Sequence, residues 1–220
     1  MCLFCEIQNN NTYDSSYPEN YIFLECDSFY AKPALGAFID GYVLINTKEH
    51  ISSFSKLNLH EFNELEWFIR EVSGLLKNLY KKDVLIFEHG ELSKLCNVRN
   101  NCPGKCLDHA HLHMIPGNFD VVPLLKNNFV YQELEEFNEL TKTQFGNYLY
   151  VRHNEDHWVF DADNKVSSQY LRRLIANMSG LGDKWNWVSH PFRDKIREFL
   201  SLLNSHKSVD VTKHGITQLR

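Results

Sequence analysis

Apolar and polar positions alternate in short runs through the first fifty residues. Residues 21–26 (YIFLEC), 29–35 (FYAKPAL) and 42–46 (YVLIN) are rich in aromatic and branched side chains, with turn-type residues between them, so each predicts a strand. The period then changes. Leu59, Phe62, Leu65, Phe68, Ile69, Val72, Leu75, Leu76 and Leu79 recur every three or four positions, the signature of an amphipathic helix. Asn58 followed by Glu61 has the form of a capping box at its start. Residues 84–88 (VLIFE) and 109–115 (HAHLHMI) return to strand pattern. Between them lies ELSKLCNVRNNCPGKCLD, a polar connection of a length that is often functional.

The pattern loosens after Pro123. Residues 132–141 predict a short acidic helix, and residues 148–151 and 157–160 a hairpin about Asn154-Glu155-Asp156. Tyr170, Leu171, Leu174, Ile175 and Met178 predict a helix capped by Ser167 or Ser168. Pro191 predicts the first turn of a last helix that carries Phe192, Ile196, Phe199, Leu200 and Leu203. From about Lys207 no period remains, and a frayed tail is expected.

Composition narrows the classes. The chain has 220 residues, 43% hydrophobic and 23% charged, enough to bury a core without disulfides. It lacks a run of about 18 apolar residues and a basic segment leading into an apolar one, so a cytoplasmic protein is expected, with no membrane partner. A net charge of −5 argues against nucleic acid as a partner, since that affinity comes from Lys and Arg. Six cysteines without an export signal read as thiols or metal ligands. The excess is in histidine, with 11 copies.

Three of these, His109, His111 and His113, stand two apart. On a strand they share one face, while Ala110 and Leu112 enter the other. Three readings are open: a His-rich half-exposed strand, a three-His metal site of the kind zinc hydrolases carry, or nucleophilic catalysis by imidazole.

HAHLHMI followed by Pro116 resembles the signature of the histidine triad superfamily. CLFCEI at the start, GYVLINTKEHISSF around His50, FEHG at residues 87–90 and GKC before the triad fall in that family's order. The resemblance covers roughly residues 1–120. It implies an α+β fold, with an antiparallel sheet and one long helix. Residues 121–206 then form a mostly helical C-terminal extension and residues 207–220 a tail.

By position, the resemblance makes His111 the nucleophile toward the α-phosphorus of a nucleotide. His113 contacts the phosphate oxygens, and Gly104 and Lys105 approach the phosphate with backbone N–H groups. Cys106 falls where relatives place Ser or Thr against the leaving group. A thiol is a weaker donor, so this is a departure. Asp40 stands near the place of a ribose-binding acid, or is a turn residue. Glu88, His89 and Gly90 match a segment whose polar side chain faces the phosphates, or form a strand-end turn.

Cys2-Leu3-Phe4-Cys5 alone is a weak metal signal. The resemblance completes it with His50 and His109, a saturated site for one structural zinc per chain. Cys96, Cys102 and Cys106 form a competing set, and Cys26 reads as a buried core thiol.

In the extension, Gln169, Arg172 and Arg173 lie either on a solvated helix edge or over the site as phosphate ligands. Trp185 and Trp187 read as core, and His153 and His157 as exposed beside their turn. The implied function is nucleotide hydrolysis at an α-phosphate, on a dinucleoside polyphosphate or a nucleoside phosphoramidate, through a nucleotidyl-His111 intermediate. The alternatives are a non-catalytic, zinc-stabilised nucleotide-binding module, and a nucleotidyltransferase or phosphorylase using the same histidine. Many family members are symmetric dimers, which implies a homodimer unless the extension covers that surface.

Overall fold

The computed structural model describes residues 2–9, 13–91, 109–162, 166–167 and 169–211. The order of elements is α1 (Leu3–Asn9), β1 (Leu24–Glu25), β2 (Phe29–Pro33), β3 (Val43–Thr47), α2 (Leu59–Tyr80), β4 (Val84–Glu91), β5 (His111–Pro116) and α3 (Val122–Asn128). β6 (Tyr131–Leu134), β7 (Asn147–His153), β8 (Asp156–Asp161), α4 (Tyr170–Met178) and α5 (Arg193–Val211) follow. Among the described residues the strands form one eight-stranded sheet, in the order β1-β2-β3-β5-β4-β7-β8-β6, with antiparallel pairings. The fold is α+β, as the resemblance implies.

The long helix forms where the periodicity places it. Asn58 Oδ1 accepts the Glu61 N–H at 3.0 Å, and the Glu61 carboxylate accepts the Asn58 N–H at 2.8 Å, so two otherwise orphaned donors are satisfied. Lys81 turns into the left-handed region and ends it. Phe62, Leu65, Phe68, Ile69, Val72 and Leu76 are buried. Phe68 stacks on Phe29 of β2, and Glu66 takes the Arg152 guanidinium of β7 at 2.8 and 2.9 Å.

Register fixes the two faces. Ala31, Ile45 and Leu112 are cross-strand partners, as are Val43, Met114, Ile86 and Arg152. That set faces α2. Side chains alternate along a strand, so Lys32, Leu44, His113 and Phe87, another partner row, project from the opposite face. β7 pairs with β4, so the hairpin of residues 147–161 joins the sheet of the N-terminal half.

Several local expectations fail for identifiable reasons. The first predicted strand contracts to Leu24–Glu25. The acidic segment expected as a helix over 132–141 is strand β6 followed by a 3-10 turn at Phe137–Lys142, because Gln132 and Leu134 pair with Val159 and His157. Tertiary pairing overrides local propensity there. α4 is entered through Gln169 in the left-handed conformation, with no side-chain cap, rather than through Ser167; Ser168 lies outside the described residues. α5 begins two residues after Pro191 and runs on to Val211, into the stretch expected to fray. His157 is buried, with Nδ1 2.7 Å from the Tyr150 hydroxyl, and His153 is half-buried. Cys26 is likewise half-buried at the edge of the core.

Glu88 lies on the α2 face, buried, with its carboxylate accepting the Phe54 N–H at 2.9 Å and the Tyr148 hydroxyl at 2.5 Å. Burial outweighs these two bonds and raises its carboxyl to about 7. Between the unfolded value of 4.5 and about 7 the folded state therefore holds the extra proton, so stability falls as pH rises through that window and is level above it. Glu88→Gln is expected to match the parent near pH ~4.5 and to exceed it at pH ~8 by on the order of 1–3 kcal/mol, read from urea midpoints. A difference independent of pH overturns this assignment.

Candidate functional site

β5 carries His111 and His113 on the face away from α2, both buried. The His111 Nδ1 lies 2.8 Å from the His109 carbonyl oxygen, which can only accept, so Nδ1 holds the proton and Nε2 keeps the lone pair. Burial pushes the imidazole down to about 4, which leaves it neutral and nucleophilic at pH 7. The His113 Nδ1 is 2.7 Å from the Tyr42 hydroxyl, and its ring stacks on Phe87 at 4.5 Å and 14°. Burial, then the neighbouring His111 and Arg172, hold His113 well below the usual histidine range. His89, one pleat along β4 from Phe87, shares this face, and burial lowers it to about 4. Its Nδ1 has no protein partner among the described residues.

His111 and His113 border a cavity of about 370 Å³. Phe4 of α1 forms one wall, its ring 5.4 Å from that of His111. Lys32 enters from β2, 2% exposed, donating to the Pro33 carbonyl at 3.1 Å, and burial lowers its ammonium to about 8. Glu19, also buried, is clasped by Arg193 at 2.8 to 3.2 Å. Arg172 of α4 closes the opposite wall, only 3% exposed. Its Nη2 donates to the Gly36 carbonyl at 2.7 Å, and Nη2 and Nε donate to the Trp185 carbonyl at 3.0 and 3.1 Å. The guanidinium lies 5.0 Å from the Tyr42 ring and 5.2 Å from Phe38. Gly36 makes this approach feasible: it has a φ of +72°, and a Cβ there would sit 2.4 Å from the Trp187 Cβ.

Beside the cavity, one ligand atom from each of Cys2, Cys5, His50 and His109 falls within 4.8 Å of the others. A tetrahedron with Zn–S of about 2.3 Å and Zn–N of about 2.0–2.1 Å requires N–N edges near ~3.3 Å and N–S edges near ~3.5 Å. The protein provides 3.3 Å for His50 Nδ1 to His109 Nδ1, 3.4 Å for Cys2 Sγ to His109 Nδ1, and 3.5 Å for Cys5 Sγ to His50 Nδ1. The His109 Nε2 donates to the Thr47 carbonyl at 2.7 Å, which leaves Nδ1 unprotonated as a ligand must be. The four residues are compatible with zinc in both spacing and donor type.

The structure thus brings His89, His111, His113, Gln169 and Arg172 to one face, and Cys2, Cys5, His50 and His109 to one cluster. It does not bring Asp40 or Glu88 there. Asp40 binds Lys195 at 2.6 Å at the surface, and Glu88 points to the other side of the sheet. Among the described residues, the carboxylate that does border the cavity is Glu19. Gly104, Lys105 and Cys106, with Cys96 and Cys102, lie outside the described residues. Arg172 is no solvated helix edge, whereas Arg173 lies over the Trp185 ring at 4.7 Å. Trp187 is partly exposed at the cavity rim instead of being core.

Lys32, Tyr42 and Glu19 were not legible as site residues. The one signal for Lys32 is its position inside the apolar strand FYAKPAL, where an ammonium needs a reason to be buried.

No protein-family profile matches the chain, and no curated protein matches it. Among the solved structures that it matches are histidine triad proteins. A hypothetical histidine triad nucleotide-binding protein from Sulfolobus tokodaii is 22% identical, with 53% of this chain and 68% of that one covered at a TM-score of 0.40. A HIT family hydrolase from Clostridium thermocellum is 20% identical, with 54% and 92% covered at 0.38. A zinc-bound histidine triad family protein from Mycobacterium smegmatis is 16% identical, with 54% and 76% covered at 0.40. No helix among the described residues is long and apolar enough to cross a membrane.

Proposed function

We propose that this chain is a histidine triad protein that hydrolyses a nucleotide at its α-phosphate through His111. The observation that carries the reading is the tautomer of His111: its proton is committed to the His109 carbonyl, and its Nε2 lone pair remains on a ring that lines a cavity with two buried cations, Lys32 and Arg172. A phosphate ester or amide supplies the anionic electrophile that such a site attracts.

In the first step the Nε2 lone pair attacks the α-phosphorus, and the bond from phosphorus to the leaving group breaks. The leaving group departs with the bonding pair and takes a proton from a site donor, a task the family resemblance assigns to Cys106. The positive charge that develops on the imidazole is shared with the His109 carbonyl through the Nδ1 proton. In the second step water attacks phosphorus and gives a proton back to the donor that lost one in the first step, the P–N bond breaks, and its pair returns to Nε2. A nucleoside monophosphate is released. His113, on the same face with its ring 4.8 Å from that of His111, stabilises charge on the oxygens of the pentavalent transition state. Dinucleoside polyphosphates and nucleoside phosphoramidates are the proposed substrates.

Cys2, Cys5, His50 and His109 are proposed to hold one zinc. With four protein donors it has no open position for water, so its contribution is to stability and to the placement of His109.

His111→Ala is expected to lose nearly all turnover while nucleotide affinity stays within about tenfold. Saturable binding without product in the parent would make the protein a nucleotide-binding module instead, and retained turnover in His111→Ala would remove the mechanism. Metal analysis is expected to find about one zinc per chain, lost together with thermal stability in the Cys2→Ser, Cys5→Ser double variant. Full zinc in that variant would refute the site.

A further inference from the structure

His113 touches a hydroxyl that the reaction above does not use. Tyr42, at the start of the segment leading into β3, is 1% exposed, and its oxygen lies 2.7 Å from the His113 Nδ1. A phenol both donates and accepts, whereas a neutral imidazole has one N–H, so two arrangements satisfy this distance. Either the hydroxyl donates to Nδ1 and the ring proton sits on Nε2, or Nδ1 donates to the phenol oxygen and Nε2 is bare.

Arg172 decides between them. Its guanidinium lies 5.0 Å from the Tyr42 ring, held there by the carbonyls of Gly36 and Trp185. A cation over an aromatic face draws electron density from the ring, and therefore from its oxygen. The hydroxyl becomes a better donor and a poorer acceptor. Phe87, stacked on the His113 ring at 4.5 Å, fixes the plane of the imidazole.

We propose that Tyr42 is a positioning residue that donates to the His113 Nδ1 and so places the single proton of that imidazole on Nε2, with Arg172 reinforcing the donor. The proton on Nε2 is then available as a hydrogen bond to an oxygen on phosphorus or to the departing group. On His113, Arg172 acts through Tyr42, and its Nε and Nη2 bonds to backbone carbonyls hold it over that ring. The role in catalysis rests on the nucleotide-hydrolase reading; the tautomer does not.

The test is the tautomer itself, read from long-range proton–nitrogen correlations of the full chain labelled with ¹⁵N-histidine near neutral pH. His113→Gln identifies the His113 signals by their loss. The parent is expected to carry the His113 proton on Nε2. Tyr42→Phe, which keeps the ring and removes the hydroxyl, is expected to give a mixture of tautomers, and Arg172→Lys a smaller shift in the same direction. A parent protonated on Nδ1, or a Tyr42→Phe spectrum unchanged at His113, overturns the proposal. In turnover, Tyr42→Phe is expected to lose about tenfold more rate with a poor leaving group than with a good one. An equal loss with both overturns the catalytic role. A parent with no turnover refutes the proposed reaction, while the spectra still decide the tautomer.

Discussion

The peptide unit of His109 is the constraint on which the site depends. Its carbonyl accepts the His111 Nδ1 proton, while its side chain joins Cys2, Cys5 and His50 through Nδ1 and is oriented by the Thr47 carbonyl through Nε2. Backbone on one side and imidazole on the other thus tie the N-terminal helix α1, the segment after β3 and the strand of His111 to one residue. A rotation of the His109 peptide would release the His111 proton and misplace a ligand at once. His109 precedes β5, which begins at His111, so its imidazole can join the cysteines while His111 and His113 on the strand line the cavity.

Charge burial sets the second constraint. Lys32, Glu19 and Arg172 are each less than 5% exposed, and burying such groups without partners is costly. Glu19 offsets its cost with a bidentate grip on Arg193, and Arg172 with carbonyl bonds and two aromatic faces. Lys32 has the Pro33 carbonyl and the face of the Phe4 ring, 5.5 Å from its ammonium. Two of these four residues, Arg172 and Arg193, come from the C-terminal segment, and two from the N-terminal half. The C-terminal segment therefore supplies a wall of the cavity.

Much of this was legible in the sequence, because periodicity reports local geometry. The capping box and the repeating apolar face of α2 follow from Asn58 to Leu79, and the alternation at 109–113 places His111 and His113 on one face. Parity limits the same reasoning. At FEHG the motif gives a segment but not which of its side chains faces the site, and a shift of one residue sends Glu88 to α2 and leaves His89 with the histidines. Asp40 fails for a different reason: its partner Lys195 is 155 residues away. Nothing local signals such pairings, nor the strand pairing of β6 that replaces a predicted helix.

The two imidazoles of β5 differ in what their Nδ1 atoms meet. His111 meets a carbonyl, a group with no proton to give, and is forced to keep its own on Nδ1. His113 meets a hydroxyl with a cation over its ring, which in the proposed arrangement gives its proton up. One strand then presents a lone pair and, two residues on, an N–H, at a ring separation of 4.8 Å. A bare ring nitrogen and an N–H are thereby set side by side with neither ring charged, since burial opposes charge. The chemistry follows less from having three histidines than from the different partner that each one has.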